Sequence, residues 1–133
     1  MLVQYLWIAG GSALGGVARH ALSLYLGPYV GTAFPWATLL INVLGSFAIG
    51  LFASLTVAES TWAVSAEARL FFMVGICGGF TTFSSFSLQT LSLIQNGRLW
   101  AAVGYSAASL LGCLIAVAVG HLAAVWWHRG LGA

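Results

Sequence analysis

Apolar positions run almost unbroken through four stretches of the chain, residues 3–26, 36–57, 70–95 and 100–127, with short polar or turn-forming segments between them. Each stretch is close to the ~20 apolar residues that carry a helix across a bilayer. The pattern therefore predicts one domain of four transmembrane helices, with no linker and no internal repeat of useful length. Gly27-Pro28 and Pro35 bracket the first connection, Glu59 to Arg69 hold both acidic side chains, and Asn96-Gly97-Arg98 reads as a tight turn with Gly97 past the helix end. Trp62, Trp100, Trp126 and Trp127 fall near the span ends, where amphipathic rings favour the membrane interface.

Small and polar residues inside the spans recur at helical spacing. In the fourth span Gly104, Ala108, Gly112, Ala116 and Gly120 form a stripe that predicts close helix packing. The second span carries Thr38, Asn42, Ser46, Gly50 and Ser54 at the same interval, and the first adds Gly11 and Gly15 beside Ser12 and Gly16. Packing accounts for the small residues. An amide at mid-span must find partners or water, so Asn42 is a candidate for structural hydrogen bonding and for ligand contact alike.

The third span departs most from a plain hydrophobic helix. Its centre reads GICGGFTTFSSFSLQTLSL over residues 75–93. Gly78 and Gly79 followed by Thr81 and Thr82 weaken a helix and predict a break into two half-helices. Irregular backbone at membrane depth persists only where protein or a polar cavity surrounds it. The first half would then end in free carbonyls suited to a cation, and the second would begin with free amide donors and a positive dipole end. Ser84, Ser85 or Ser87 are available to cap or line the break. Beyond it, Phe83 and Phe86 share one helix face, while Thr82, Ser85, Gln89 and Ser92 form a polar stripe beside them. A phenyl ring presents a positive edge, so these rings either meet an anion edge-on or face lipid and core.

Composition agrees with the pattern. The 133 residues are 61% hydrophobic and only 5% charged, against about 25% charged in soluble domains, which makes this an integral membrane protein. Four arginines, no lysine, two glutamates and a formal charge of +2 are too sparse for a nucleic-acid footprint. The apolar N-terminus has no positive leader region and reads as a retained span rather than a signal peptide. Cys77 and Cys113 lie in apolar runs without metal-ligand spacing and read as free buried thiols. Arg19 within the first span must reach water, either by snorkelling to the headgroups or by facing an electropositive vestibule. His121 and His128 share a helix face without carboxylates nearby and read as packing or interfacial residues, and His20 carries no stronger signal.

Three segments, GGSALGGVARH at 10–20, NVLGSFAIG at 42–50 and GICGGFTTFSSFS at 75–87, together resemble the CrcB/Fluc family of fluoride channels, in the same order and in a chain of that family's size. The resemblance spans all four helices, and the glycine-threonine-phenylalanine segment is its most specific part. It implies an all-α membrane protein with a broken third helix, assembled as an antiparallel, dual-topology homodimer with two fluoride pores and a central structural sodium ion. By motif, the sodium-binding carbonyls correspond to Gly78 and Thr81, two from each subunit. The pore phenylalanines correspond to Phe83 and Phe86, the pore asparagine to Asn42 and the vestibule arginine to Arg19, with Thr82 and Ser85 beside them. The family's polar track on the fourth helix is matched at Tyr105 and Ser109. Cys113 and Val117 stand where hydroxyl residues are more usual, leaving Ser106 as a possible substitute.

The arginines add a separate expectation. With four spans, Arg69 and Arg129 mark one side, and Arg98 with Arg19 the other. The tie gives the positive-inside rule no preferred orientation, as a chain inserting both ways requires. The resulting expectation is a non-enzymatic, passive fluoride exporter in a bacterial cytoplasmic (inner) membrane. Its partners are fluoride, sodium, lipid and a second copy, with no nucleic acid. Two alternatives stand beside it. A dual-topology multidrug exporter needs a membrane-embedded carboxylate, and both glutamates lie in or near the second loop. A non-conducting structural subunit has no use for Asn42 with Phe83 and Phe86.

Overall fold

The computed structural model describes residues 1–30, 33–57 and 62–131. Helix α1 spans Leu2–Val30 and α2 spans Trp36–Leu55. The third membrane helix is composite: α3 Ala66–Arg69, a π-helical segment Leu70–Cys77, α4 Gly78–Phe80, an extended break at Thr81 and Thr82, then α5 Phe83–Gln95. Helix α6 spans Leu99–Leu131. Among the described residues there is no strand. Taking the composite helix as one, three helices among the described residues are long and apolar enough to cross a membrane. The 29-residue α1 matches them in length, but its glycines, Arg19 and His20 make it more polar.

Local chemistry sets the ends. Helix α1 continues through Pro28 rather than stopping at residue 26. The ring's fixed φ suits a helix, and near the C-terminus the lost amide leaves only one carbonyl without its donor. Helix α2 begins directly after Pro35 and ends where the Thr56 amide and hydroxyl both donate to the Phe52 carbonyl, at 3.1 and 2.7 Å. Ser65 caps α3 by accepting from the Ala68 amide at 3.2 Å. Gly97 adopts φ +71°, with its amide on the Ile94 carbonyl and the Arg98 amide on the Leu93 carbonyl, both at 2.9 Å. This is the Schellman arrangement expected of the tight turn. Glu59 lies outside the described residues.

Packing proceeds in two pairs. Helix α1 lies on the first half of the third helix with backbones nearly touching. A Cβ on Gly15 would strike the Ile76 carbonyl and come 2.8 Å from the Phe80 amide, and one on Gly79 would come 2.6 Å from the Ser12 carbonyl. Helix α2 lies on α6, where a Cβ on Gly120 would come 2.8 Å from the Leu51 amide. The small-residue stripe of α6 only partly faces this contact. Ala116 and Gly120 are buried, whereas Gly104 and Ala108 are exposed and Tyr105 and Ser109 take the inner face. A four-residue repeat precesses by about 40° per step on a helix of 3.6 residues per turn, so one stripe cannot stay on one side. The outward faces carry exposed Leu14, Val17, Leu40, Leu44, Leu111, Ile115 and Leu122, as lipid contact requires.

The break corrects the sequence expectation in position. Gly78 and Gly79 remain helical, with Gly78 at φ −64°, ψ −36°. The chain leaves the helix at Thr81 (φ −80°, ψ 158°) and Thr82 (φ −152°, ψ 109°). β-Branched threonines accept extended backbone readily. Gly79 serves instead to admit α1. The π-helical turns preceding the break have no sequence signature of their own; such turns commonly occur at functional sites.

These contacts give a paired expectation. Gly15→Val should destabilise the purified protein by about 1–3 kcal/mol or more through overpacking against backbone, seen as a lower thermal midpoint in detergent. Gly104→Ala, with nothing within 4 Å of the added carbon, should leave that midpoint unchanged or slightly raised.

Candidate functional site

The break is organised by side chains that take over backbone partners. A continuous helix would aim the Thr82 amide at the Gly78 carbonyl and the Ser85 amide at the Thr81 carbonyl. Here the Thr82 amide donates to Asn42 Oδ1 at 2.8 Å, and the Ser85 amide donates to Thr82 Oγ1 at 3.1 Å. Asn42 Nδ2 returns a bond to the Thr82 carbonyl at 3.2 Å. The half-buried amide of α2 thus holds both backbone groups of the one residue that is out of register. Thr82 is the N-cap of α5, and its hydroxyl also meets Ser85 Oγ at 3.0 Å and Ser84 Oγ at 3.2 Å. The cap expected from one of the serines is therefore supplied by Thr82.

Behind the break, the Thr81 hydroxyl and amide both donate to the Cys77 carbonyl, at 2.8 and 3.0 Å. The carbonyls of Gly78 and Thr81 accept no hydrogen bond from any described residue. Gly78 is exposed on the chain's own surface. Arg19 is half-buried and donates from Nε to the Gly79 carbonyl at 3.3 Å. Its positive charge lies against the C-terminal, negative end of the first half-helix and not free at the headgroups.

A groove of about 570 Å³ opens beside this segment, floored by α2 and walled by the third helix and α6. Asn42, Thr82, Phe83, Phe86 and Ser109 line it together with Gly78 and Thr81. Phe83 is 79% exposed, and its ring centroid lies 5.2 Å from that of half-buried Phe86. Ser109 is buried, and its hydroxyl has no hydrogen-bond partner among the described residues. Ser106 and Cys113 continue the same wall, whereas Val117 turns its side chain toward Gly50 of α2. Cys77 and Cys113 are both free thiols, Cys113 only partly buried.

Tyr105 does not line the groove. It is fully buried behind Phe86, with ring centroids 5.1 Å apart, and donates to Gln89 Oε1 at 2.8 Å. Ser85 likewise does not line the groove and is bonded to Thr82. Sequence reading placed Gln89 only in a polar stripe; the structure also sets it in a second pocket of about 390 Å³ with Thr38, Ser92, Asn96 and Arg98. Arg98 donates there to the Ala33 carbonyl. Tyr105 thus bridges from the groove's phenylalanine wall to a pocket at the membrane end, a link that only tertiary contact reveals. Two further arrangements lie apart from the groove: Ser54 Oγ meets His121 Nδ1 at 2.8 Å, and Arg69 donates to the Thr56 carbonyl at 2.8 Å.

Fold and site together define an all-helical, multi-pass membrane protein with an apolar groove running past a broken helix. The chain belongs to the family described as CrcB-like protein, Camphor Resistance (CrcB), whose model matches residues 6–121. Among similar curated proteins, one from Methylocella silvestris called "Fluoride-specific ion channel FluC" is 53% identical over 131 residues, covering 98% of this chain and all of that protein. Proteins of the same name from Opitutus terrae and Paramagnetospirillum magneticum are 54% and 55% identical, over 91% and 96% of this chain and 92% and 100% of their own lengths.

The unpaired hydroxyl at Ser109 generates an expectation opposite to that at Tyr105. Ser109→Ala removes a buried polar group without a partner and should raise thermal stability, by up to about 1–3 kcal/mol. Tyr105→Phe strands the Gln89 carbonyl oxygen and should lower stability by about 1 kcal/mol. Thermal unfolding of both variants in one detergent checks the sign of each.

Proposed function

We propose that the chain is a subunit of a fluoride channel that passively exports fluoride across a bacterial cytoplasmic membrane. The observation that carries this reading is the gathering of Asn42, Phe83, Phe86 and Ser109 along one groove, in a chain about half identical along nearly its whole length to proteins named as fluoride-specific channels. In such a groove a small anion exchanges water for a hydroxyl donor at Ser109 and the positive edges of Phe83 and Phe86. The Asn42 amide contributes its remaining N–H. Thr82 and Ser85 hold the ring-bearing helix in place, and Tyr105 buttresses Phe86. Arg19 supplies positive charge near the break, raising the local anion concentration.

The functional unit in this reading is an antiparallel homodimer. Gly78 and Thr81 carry two carbonyls at the break without a donor among the described residues, and hard oxygen donors of this kind suit sodium. These residues would hold the ion with the same pair from a second copy, and bound there it would supply positive charge that joins the two broken helices. Arg19 bonded at the break leaves Arg98 against Arg69 and Arg129 at the two membrane ends. The tie counted with Arg19 thus becomes a margin of one charge, a weak bias that leaves either orientation accessible. A multidrug exporter fits less well, since Glu67 is exposed in α3 at the start of the third helix.

Fluoride efflux from proteoliposomes, followed with a fluoride electrode, tests the assignment. Phe83→Ile and Ser109→Ala should each cut the rate by about tenfold or more while the protein stays monodisperse, and full-rate efflux from both would refute the pore. Gly78→Val bears on the dimer. Its nearest neighbour within the chain is the Met73 carbonyl oxygen, 4.0 Å from the added carbon, so the subunit fold should persist while the dimer on a sizing column is lost. A stable, conducting Gly78→Val dimer would contradict a close-packed cation site.

A further inference from the structure

We infer that Asn42 and Thr82 are positioning residues for the cation site: each keeps one of its carbonyls vacant by capturing the amide that would otherwise fill it. This rests on the sodium reading above and assigns to Asn42 a task separate from meeting the anion. Only four backbone partners are involved. Asn42 Oδ1 takes the Thr82 amide at 2.8 Å and releases the Gly78 carbonyl; Thr82 Oγ1 takes the Ser85 amide at 3.1 Å and releases the Thr81 carbonyl.

The glycines do not perform this task, since Gly78 has ordinary helical angles and its carbonyl would be satisfied if the helix simply continued. Nor is the break forced by proline, for the segment contains none. Without the Asn42 oxygen, the Thr82 amide at membrane depth has one nearby acceptor that restores a regular helix, the Gly78 carbonyl. An unpaired amide there is costly, so the amide would take that carbonyl and remove it from the cation. The same logic returns the Ser85 amide to Thr81 when the Thr82 hydroxyl is lost. One side chain, Asn42, therefore belongs to the cation site and to the groove at once, and emptying either is felt at the other.

The test reads sodium binding without fluoride. Thermal unfolding of the purified dimer is followed as sodium replaces N-methylglucamine at constant ionic strength, and the sodium concentration giving half the stabilisation is recorded. Asn42→Leu, of similar volume without an acceptor, and Thr82→Val, isosteric without a hydroxyl, should each raise that concentration about tenfold or abolish the response. Thr82→Ser, which keeps the cap, should stay within about threefold of the unmodified protein. Thr82→Val keeps the test decisive if Asn42→Leu does not fold. Unchanged sodium midpoints in the variants, beside a clear response in the unmodified protein, would overturn the inference and leave the sodium site standing. No sodium response in the unmodified protein would remove the site itself and the inference with it.

Discussion

Two redirected amides govern the centre of this molecule. By sending the Thr82 N–H to Asn42 Oδ1 and the Ser85 N–H to the Thr82 hydroxyl, the third helix breaks at membrane depth with both of these donors paired. The constraint is severe because no water is available in the hydrocarbon to accept what the backbone gives up. Everything functional in the reading follows from the offset this creates. The second half-helix starts a new register, presents Phe83 and Phe86 to the groove, and leaves the Gly78 and Thr81 carbonyls without a donor among the described residues.

The break depends in turn on rigid surroundings. Gly11, Gly15, Gly75 and Gly79 let α1 and the first half of the third helix meet backbone to backbone, with no flexible side chain between them to absorb movement. Gly50 and Gly120 do the same between α2 and α6. Asn42 sits on α2, so its reach to Thr82 is fixed by how α2 lies against the rest. Arg19 adds a further tie from α1 to the Gly79 carbonyl. A substitution that shifts either helix pair thus acts on the break even when it lies far from the groove.

Much of this was legible from residue pattern. Four apolar runs gave the helices nearly to their ends, since burial in lipid leaves a strong and simple signal. The extension through Pro28 was not legible, because proline usually marks a stop and only its place in the last turn makes it tolerable. That the third helix breaks could be read from Gly78, Gly79, Thr81 and Thr82, but not where: glycine serves equally for flexibility and for close approach, and only the position of Ser12 against Gly79 decides between them. The candidate site residues came from resemblance more than from periodicity. The bond from Asn42 to a residue forty positions away has no local trace, and neither does the link from Tyr105 to Gln89. The π-helical turns and the precession of the α6 stripe are likewise consequences of packing.

An interrupted helix serving the passage of one small anion is most exposed to test through selectivity. Liposomes containing the unmodified protein, loaded with equal fluoride and chloride, should release fluoride rapidly on addition of a potassium ionophore while chloride stays inside, each anion read by its own electrode. The dry ring edges and few donors of the groove predict that separation. Release of both anions together, or retention of both by a protein that is folded and dimeric, would contradict it.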